Sequence, residues 1–271
     1  MFPWEIARAL ADAPICYLPL GVLEWHGEHS AVGLDGIKAH AVCEAAARRS
    51  GGVVVPPLWW GADEREDLPD GSYLTGGIEA GGGHGERYHV PGSMFWVRPE
   101  TFGALLLDIY EAMRRRGFRV IVVVAGHWSP KVYLPTVRAA GDAFQTQHPE
   151  TRLLLLTDRE LVPDLHYPEE HAAGGETSLL MAVRPDLVDL TMTLETDRSL
   201  RAWYANEPAH LARRRATPHK YIGLFTGADD GSNDPETTAS AERGRALLET
   251  IAARLAERAR TLLAEAAPDR A

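Results

Sequence analysis

Cysteine is almost missing from this chain. Cys16 and Cys43 are the only two in 271 residues, too few for a disulfide framework. Both stand among apolar neighbours and read as buried free thiols, a usage that fits a reducing compartment. No apolar run approaches the ~20 residues that a membrane-spanning helix needs. The first thirteen residues carry Glu5, Arg8 and Asp12 and lack the apolar core of a signal peptide. The expected location is therefore the cytoplasm, with no membrane partner. Positive charge is also scarce: 28 Lys and Arg stand against 38 Asp and Glu, a net charge of −10. That balance argues against nucleic acid as a partner. No internal repeat is visible. What remains is an ordinary globular composition, 45% apolar and 24% charged. The length suits one α/β domain spanning 1–271.

The stretch around which the chain is organised is Glu24-Trp25-His26-Gly27-Glu28-His29, closed by Asp35. It follows Ile15 to Leu20, an apolar run that reads as a buried strand, with Gly21 opening the turn. Glu24 and His26 are two apart, so an extended backbone points them to one side. Asp35 returns to that side if Gly27 and Gly33 let the loop fold back. Two carboxylates and an imidazole at a strand end suit a divalent transition metal. On this stretch alone a solvated polar loop accounts for the same residues equally well.

Further along, Lys38 to Arg49 has helical spacing, and Val53 to Val55 reads as a short strand stopped by Pro56-Pro57. Strand, loop, helix, strand is the opening of a parallel sheet with crossover helices. Trp59-Trp60 is either core or a flat wall beside a ligand. Residues 63–90 are polar and glycine-rich, a structureless segment of the length expected for a lid, an oligomer contact or disorder. Pro99 opens a helix to about Arg116. Phe118 to Val124 is a valine-rich strand that delivers His127 to its carboxyl end, where open α/β sheets bind ligands. Ser129 and Pro130 read as the cap and first residue of a helix to about Gln147. Arg152 to Thr157 gives another strand. Glu176 sits in the first turn of a helix ending near Arg184-Pro185, a place the helix dipole favours for a carboxylate with or without a metal. Leu187 to Thr193 is expected as an edge strand, Leu200 to Lys220 as a surface helix, 227–238 as a loop, and Ser240 to Ala266 as a long terminal helix.

With these pieces placed, the chain resembles the creatininase (creatinine amidohydrolase) family. Four blocks carry the resemblance: Leu18-Pro19-Leu20-Gly21 through Glu24, His26, His29 and Asp35; Pro91-Gly92-Ser93 with Gly117-Phe118-Arg119; Gly126-His127; and His171-Ala172 through Gly174 to Glu176-Thr177-Ser178. Asp234-Pro235 with Ala239 and Gly244 is a weaker fifth. Trp25, Glu28, Ser30, Ala31 and Ala125 depart from the family pattern. So does Ser129, which stands where creatinine-hydrolysing members have a metal-binding glutamate. That departure puts creatinine in doubt as the substrate.

The resemblance implies a single-domain, three-layer α/β/α sandwich with a mostly parallel sheet. It also implies two divalent metal ions per chain, Zn2+ with Mn2+ or Fe2+ as alternatives, bridged by an aspartate and a water. Carried over residue by residue, Glu24 and His127 hold one metal, His26 and Glu176 the other, and Asp35 bridges. Such a pair lowers the pKa of the shared water and polarises a carbonyl. His171 is the expected general acid/base. His29 is expected to orient a ligand, and Ser93 and Trp128 to line a substrate pocket. The activity this implies is hydrolysis of a C–N bond in a small cyclic amide or formamide, in a homo-oligomer, by resemblance a hexamer. A non-catalytic metal-stabilised scaffold or regulator is the alternative. Phosphoester hydrolysis is disfavoured because no basic cluster flanks the motifs.

Overall fold

The computed structural model of the chain describes residues 1–27, 29–67, 73–75, 93–165, 167, 171–191 and 235–266. Four parallel strands form the central sheet: β1 (Ile15–Leu20), β2 (Val53–Val54), β5 (Val120–Ala125) and β6 (Arg152–Thr157), in the order β2-β1-β5-β6. The long pairing is between β1 and β5, in register from Ile15 opposite Val120 to Leu20 opposite Ala125.

Both faces of this sheet are covered, and the side-chain alternation of the strands shows how. Ile15 and Tyr17 with Val120, Val122 and Val124 face one core. Helices α2 (Leu34–Ser50), α5 (Gly174–Val183) and α7 (Ala241–Glu265) close that core. Cys16, Leu18 and Leu20 with Ile121, Val123 and Ala125 face the other, closed by α3 (Pro99–Arg115) and α4 (Tyr133–Gln147). Period-two strands with both sides apolar produce uninterrupted hydrophobic runs, which is why β1 and β5 were readable. The result is the expected three-layer α/β/α sandwich. Cys16 and Cys43 are buried free thiols, as expected.

The strand order fixes where a site can form. From β1 the chain crosses through α2 to β2 on one side; from β5 it crosses through α4 to β6 on the other. The point where the winding reverses lies between β1 and β5, and the crevice beyond their carboxyl ends is the default ligand position in such a sheet. Glu24 and His26 follow β1, and His127 follows β5.

Several expected elements differ. Helix α2 begins at Leu34, four residues early, so Asp35 stands in its first turn instead of in a returning loop. Helix α4 begins at Tyr133 with Val132 as the cap residue. Ser129 is therefore not its cap. Val188 makes only an isolated bridge to Ser30 after a 3-10 turn, Pro185–Leu187, so the edge strand is not formed among the described residues. Residues 1–13, unassigned from sequence, contain α1 (Pro3–Asp12). Within 63–90, an antiparallel ribbon joins β3 (Arg65–Asp67) to β4 (Tyr73–Thr75). The expected loop 227–238 ends in a short helix α6 (Pro235–Thr238). Trp59 is half-buried and Trp60 exposed, so the pair is not core. The surface helix expected over Leu200 to Lys220 lies outside the described residues. The long terminal helix expected over Ser240 to Ala266 is α7, capped by Ser240, whose side chain accepts from the Arg243 N–H. No described helix is long and apolar enough to cross a membrane.

Candidate metal centre

Residues 21–27 leave β1 without regular structure and are held by bonds to neighbouring segments. Gly21 N–H donates to Leu58 O, Glu24 N–H to Val32 O, and Met94 N–H to Leu23 O. Trp25 N–H donates to Ser93 Oγ at 3.1 Å. Gly27 turns the chain with φ of 78°, a conformation that suits glycine. The first turn of α2 lies directly on the strand ends. A Cβ on Gly21 would stand 2.2 Å from Gly36 N, and one on Gly126 would stand 2.2 Å from Asp35 O. Glycine at both positions is what lets Asp35 reach the sheet.

Glu24, His26, Asp35, His127 and Glu176 converge there, all buried. They fall into two trios whose ligand atoms lie mutually within 4.8 Å: Glu24, Asp35 and His127, and His26, Asp35 and Glu176. In the first, His127 Nδ1 is 2.9 Å from Glu24 Oε2 and 3.5 Å from Asp35 Oδ2. In the second, His26 Nε2 is 3.4 Å from Asp35 Oδ1 and 3.8 Å from Glu176 Oε2. Asp35 belongs to both, one oxygen to each. His26 Nε2 and Asp35 Oδ2 are buried and make no hydrogen bond. Buried polar atoms are rarely left so. Unsatisfied acceptors among three carboxylates and two imidazoles are a donor set that fits divalent cations.

His171 lies against this cluster. Its Nδ1 is 3.9 Å from Glu24 Oε2, its Nε2 is 2.7 Å from Trp25 O, and its ring is 4.3 Å from that of His26. A third trio of Glu24, His26 and His171 meets the same distance limit, so His171 stands within ligand reach as well as beside the cluster. His29 Nε2 is 3.1 Å from Thr177 Oγ1, which ties the loop to the first turn of α5 beside Glu176. That turn is set by Ala172, at φ of 58°, whose N–H donates to Glu176 Oε2 at 2.9 Å.

Charge explains the titration behaviour. Burial alone would push His127 down, but Glu24, with Asp35 and Asp63, outweighs it and holds its pKa well above the ordinary value. Burial also opposes protonation of His26, yet Asp35, Glu176 and Glu24 raise it to about 9. His171 goes the other way: burial and the neighbouring His26 lower it despite Glu24 and Glu176. Burial, with His26, lowers His29 to about 4. Asp35 is held well below the usual carboxylate range by His26 and Lys38, against its burial.

Three participants were not singled out from sequence. Asp63 is buried, with Oδ2 3.1 Å from His127 Nε2. Its Oδ1 accepts from Ser129 Oγ at 2.6 Å, the role Ser129 has in place of a cap. Lys38, buried on α2, reaches Glu176 Oε1, and Asp158 lies beyond it. A Lys at the start of an amphipathic helix reads as surface, and Asp63 lies 64 residues from its histidine, so sequence spacing offered no signal for either. Of the two expected pocket residues, Ser93 is engaged by the Trp25 N–H. Trp128 donates from Nε1 to Asp158 Oδ1 at 3.0 Å. It also borders a cavity of about 600 Å³ shared with Pro130, Arg159 and Tyr167.

A family model described as creatinine amidohydrolase matches residues 3–259. A creatinine amidohydrolase from Pseudomonas putida is 27% identical, with 93% of this chain and 90% of that protein covered. A solved creatininase described as the Mn form is 24% identical with a TM-score of 0.66, covering 98% of this chain and 97% of that one. A mutant creatininase described as Zn–Zn type is 24% identical with a TM-score of 0.65, again covering 98% and 97%. The two structures share this fold.

Proposed function

We propose, on the premise that this chain belongs to the creatininase (creatinine amidohydrolase) family, that it is a metal-dependent amidohydrolase. It cleaves the C–N bond of a small cyclic amide or formamide. The observation that carries the reading is the buried pair of trios sharing Asp35, with His26 Nε2 and Asp35 Oδ2 lacking hydrogen bonds. Glu24, Asp35 and His127 would hold one divalent cation, and His26, Asp35 and Glu176 a second. The Mn and Zn–Zn forms of solved creatininases support the choice of metals.

When bound, such cations lower the pKa of a water and polarise an amide carbonyl. The protein's own groups do the rest. Glu24, Asp35 and Glu176 set the charge of the cleft, and burial excludes bulk water from it. His171, whose pKa burial lowers, takes a proton from the attacking water and returns it to the leaving nitrogen. Hydroxyl is thereby added to the carbonyl carbon and hydrogen to nitrogen. Asp63 holds the Nε2 side of His127, which leaves Nδ1 facing Glu24 and Asp35. Creatinine is not the favoured substrate, because Ser129 offers a neutral hydroxyl that is already bonded to Asp63.

A homo-oligomer belongs to the same proposal and is supported by the exposed Phe2, Trp4 and Met94. Light scattering tests it, and a monomer at micromolar concentration would refute it. The test of the function is metal content per chain after incubation with excess Zn2+ or Mn2+. Turnover of a panel of small cyclic amides and formamides follows, with and without chelator. Two divalent ions per chain and chelator-sensitive amide cleavage are expected. Metal uptake without amide turnover is the outcome of the metal-stabilised scaffold or regulator alternative, and a protein that takes up neither metal overturns the metal-centre reading.

A further inference from the structure

The cavity of about 600 Å³ has no role in the scheme above. It lies past the carboxyl end of β6, between the segment that follows this strand and the approach to α4. Trp128, in its wall, is the residue after His127, so the cavity begins one residue from the metal centre. A small amide held at the centre would leave this space to water. Its volume is that of a pocket which takes a whole small-molecule ligand.

Leu134, Val162 and Leu165 give the cavity apolar walls. Trp128 and Tyr167 are fixed by one buried acid. Asp158 Oδ1 accepts from Trp128 Nε1 and its Oδ2 from Tyr167 OH, at 3.0 Å each, with the two rings 5.4 Å apart. The charged lining is Arg138, Arg159 and Glu160. Arg138 is exposed and donates to Glu160 Oε1 at 2.9 Å. Glu160 Oε2 accepts from the Thr157 N–H at 2.6 Å, so both oxygens of this acid are engaged. Arg159 is half-buried, with its guanidinium carbon 4.9 Å from the centroid of the Trp128 ring. Such a contact uses the face of the guanidinium and not its N–H edge, the part that pairs with a carboxylate. Two arginines to one glutamate is an unusual lining in a chain of net charge −10.

We propose that this cavity receives a carboxylate borne by the substrate: Arg159 pairs with it, while Trp128 and Tyr167 pack the apolar atoms between it and the amide at the metal centre. The inference rests on the amidohydrolase reading and narrows it to amides that are also carboxylic acids. A carboxylate suits the site better than a phosphate. One planar fork matches two carboxylate oxygens, whereas a dianion calls for more cations. Arg159 is the reader, because a half-buried cation is screened less than an exposed one already paired.

The test uses matched probes on Zn2+-loaded protein: N-formylglycine, 4-formamidobutanoate and 5-oxoproline, each against its neutral carboxamide. KM and kcat are measured for probes that are cleaved, and Kd by calorimetry for those only bound. The different spacers sample the span from centre to cavity. At least one acid should exceed its neutral partner roughly 10–100-fold in kcat/KM or affinity, the worth of a charge-assisted pair. Arg159→Gln should bring that ratio close to one, and Arg159→Lys should keep part of it. Arg138→Gln should keep it within about twofold, as befits an exposed pair. Acids and neutral partners that behave alike throughout overturn the inference alone. So does a preference that Arg159→Gln leaves intact, since the metal ions themselves would then take the carboxylate. Binding that prefers the acids and depends on Arg159, with no cleavage of any probe, upholds the cavity assignment and counts against the amidohydrolase reading.

Discussion

Asp63 and Glu24 grip His127 from its two ring nitrogens, Oδ2 of Asp63 3.1 Å from Nε2 and Oε2 of Glu24 2.9 Å from Nδ1. A carboxylate behind a ligating histidine fixes the tautomer and the ring orientation, and its loss commonly lowers metal affinity by about 10–100-fold. Asp63→Ala is expected to weaken the metal position of Glu24, Asp35 and His127 by that factor. Asp63→Asn, whose amide oxygen still accepts a hydrogen bond, should fall between it and the parent. Calorimetric titration checks the order, and equal affinities across the three proteins would remove Asp63 from the centre.

Glu176 and Ser129 make opposite predictions. The second trio has two carboxylates, Asp35 and Glu176, and a dication in a desolvated site needs them. Glu176→Gln should lose about one metal per chain at saturating metal, along with nearly all amide hydrolysis. Ser129→Ala removes a hydroxyl whose partner is Asp63, so both metals should remain. Elemental analysis of the two variants decides. Full occupancy in Glu176→Gln, or metal loss in Ser129→Ala, contradicts the assignment.

His171 stands within ligand reach of Glu24 and His26, so its role as acid/base has to be separated from ligation. His171→Ala should keep both metals while turnover falls roughly 10²–10⁴-fold, the usual worth of a positioned proton carrier. A variant that loses a metal ion makes His171 a ligand instead.

Acid stability should follow two carboxylates paired with arginines, Glu111 half-buried and Asp164 exposed. Glu111 accepts from Arg114 and Arg115, which hold it down at about 2 against an ordinary 4.5. Arg254 does the same for Asp164, to about 2 against 3.8. A carboxyl lowered in the folded state contributes stability above its unfolded pKa and loses it as pH falls through the folded value. Glu111→Gln should therefore lower Tm slightly at pH 6, the effect being small for a solvent-screened pair at the surface. The difference should shrink between about pH 4.5 and 2. A difference that grows on acidification would show that the arginines are not its source.

The parts legible in sequence were those set by short-range pattern. β1 and β5 are buried on both faces and so read as continuous apolar runs. His127 and Glu24 could be placed because they directly follow those strands. Asp35 was named but put in a loop: two glycines and a serine precede the helix, and nothing local showed that α2 starts at Leu34. Ser129 was misread because Ser-Pro is a good helix start, and the long-range contact with Asp63 outcompeted it. Lys38 violates the rule that charge faces water, and only the fold reveals the three acids that permit it.

The close approach of α2 to the sheet gives the last prediction. A Cβ at Gly126 would lie 2.2 Å from Asp35 O, 2.8 Å from Asp35 C and 3.2 Å from Asp35 Cα. All three are backbone atoms, which cannot swing aside as a side chain would, so Gly126→Ala must push the first turn of α2 away from β5. Overpacking of this kind costs typically about 1–3 kcal/mol, sometimes more. In a chain of this size that lowers Tm by roughly 2–10 °C. It also carries Asp35 away from His127, whose Nδ1 is 3.5 Å from Oδ2, so both metal positions should weaken together. Gly103→Ala on α3 is the control: its nearest neighbour would be Thr136 Cγ2 at 3.7 Å. Alanine is the better helix former by about 1 kcal/mol. Gly103→Ala should leave metal binding unchanged and Tm equal or higher. Matching Tm and metal affinity in Gly126→Ala and the parent would show that this contact does not set the position of Asp35.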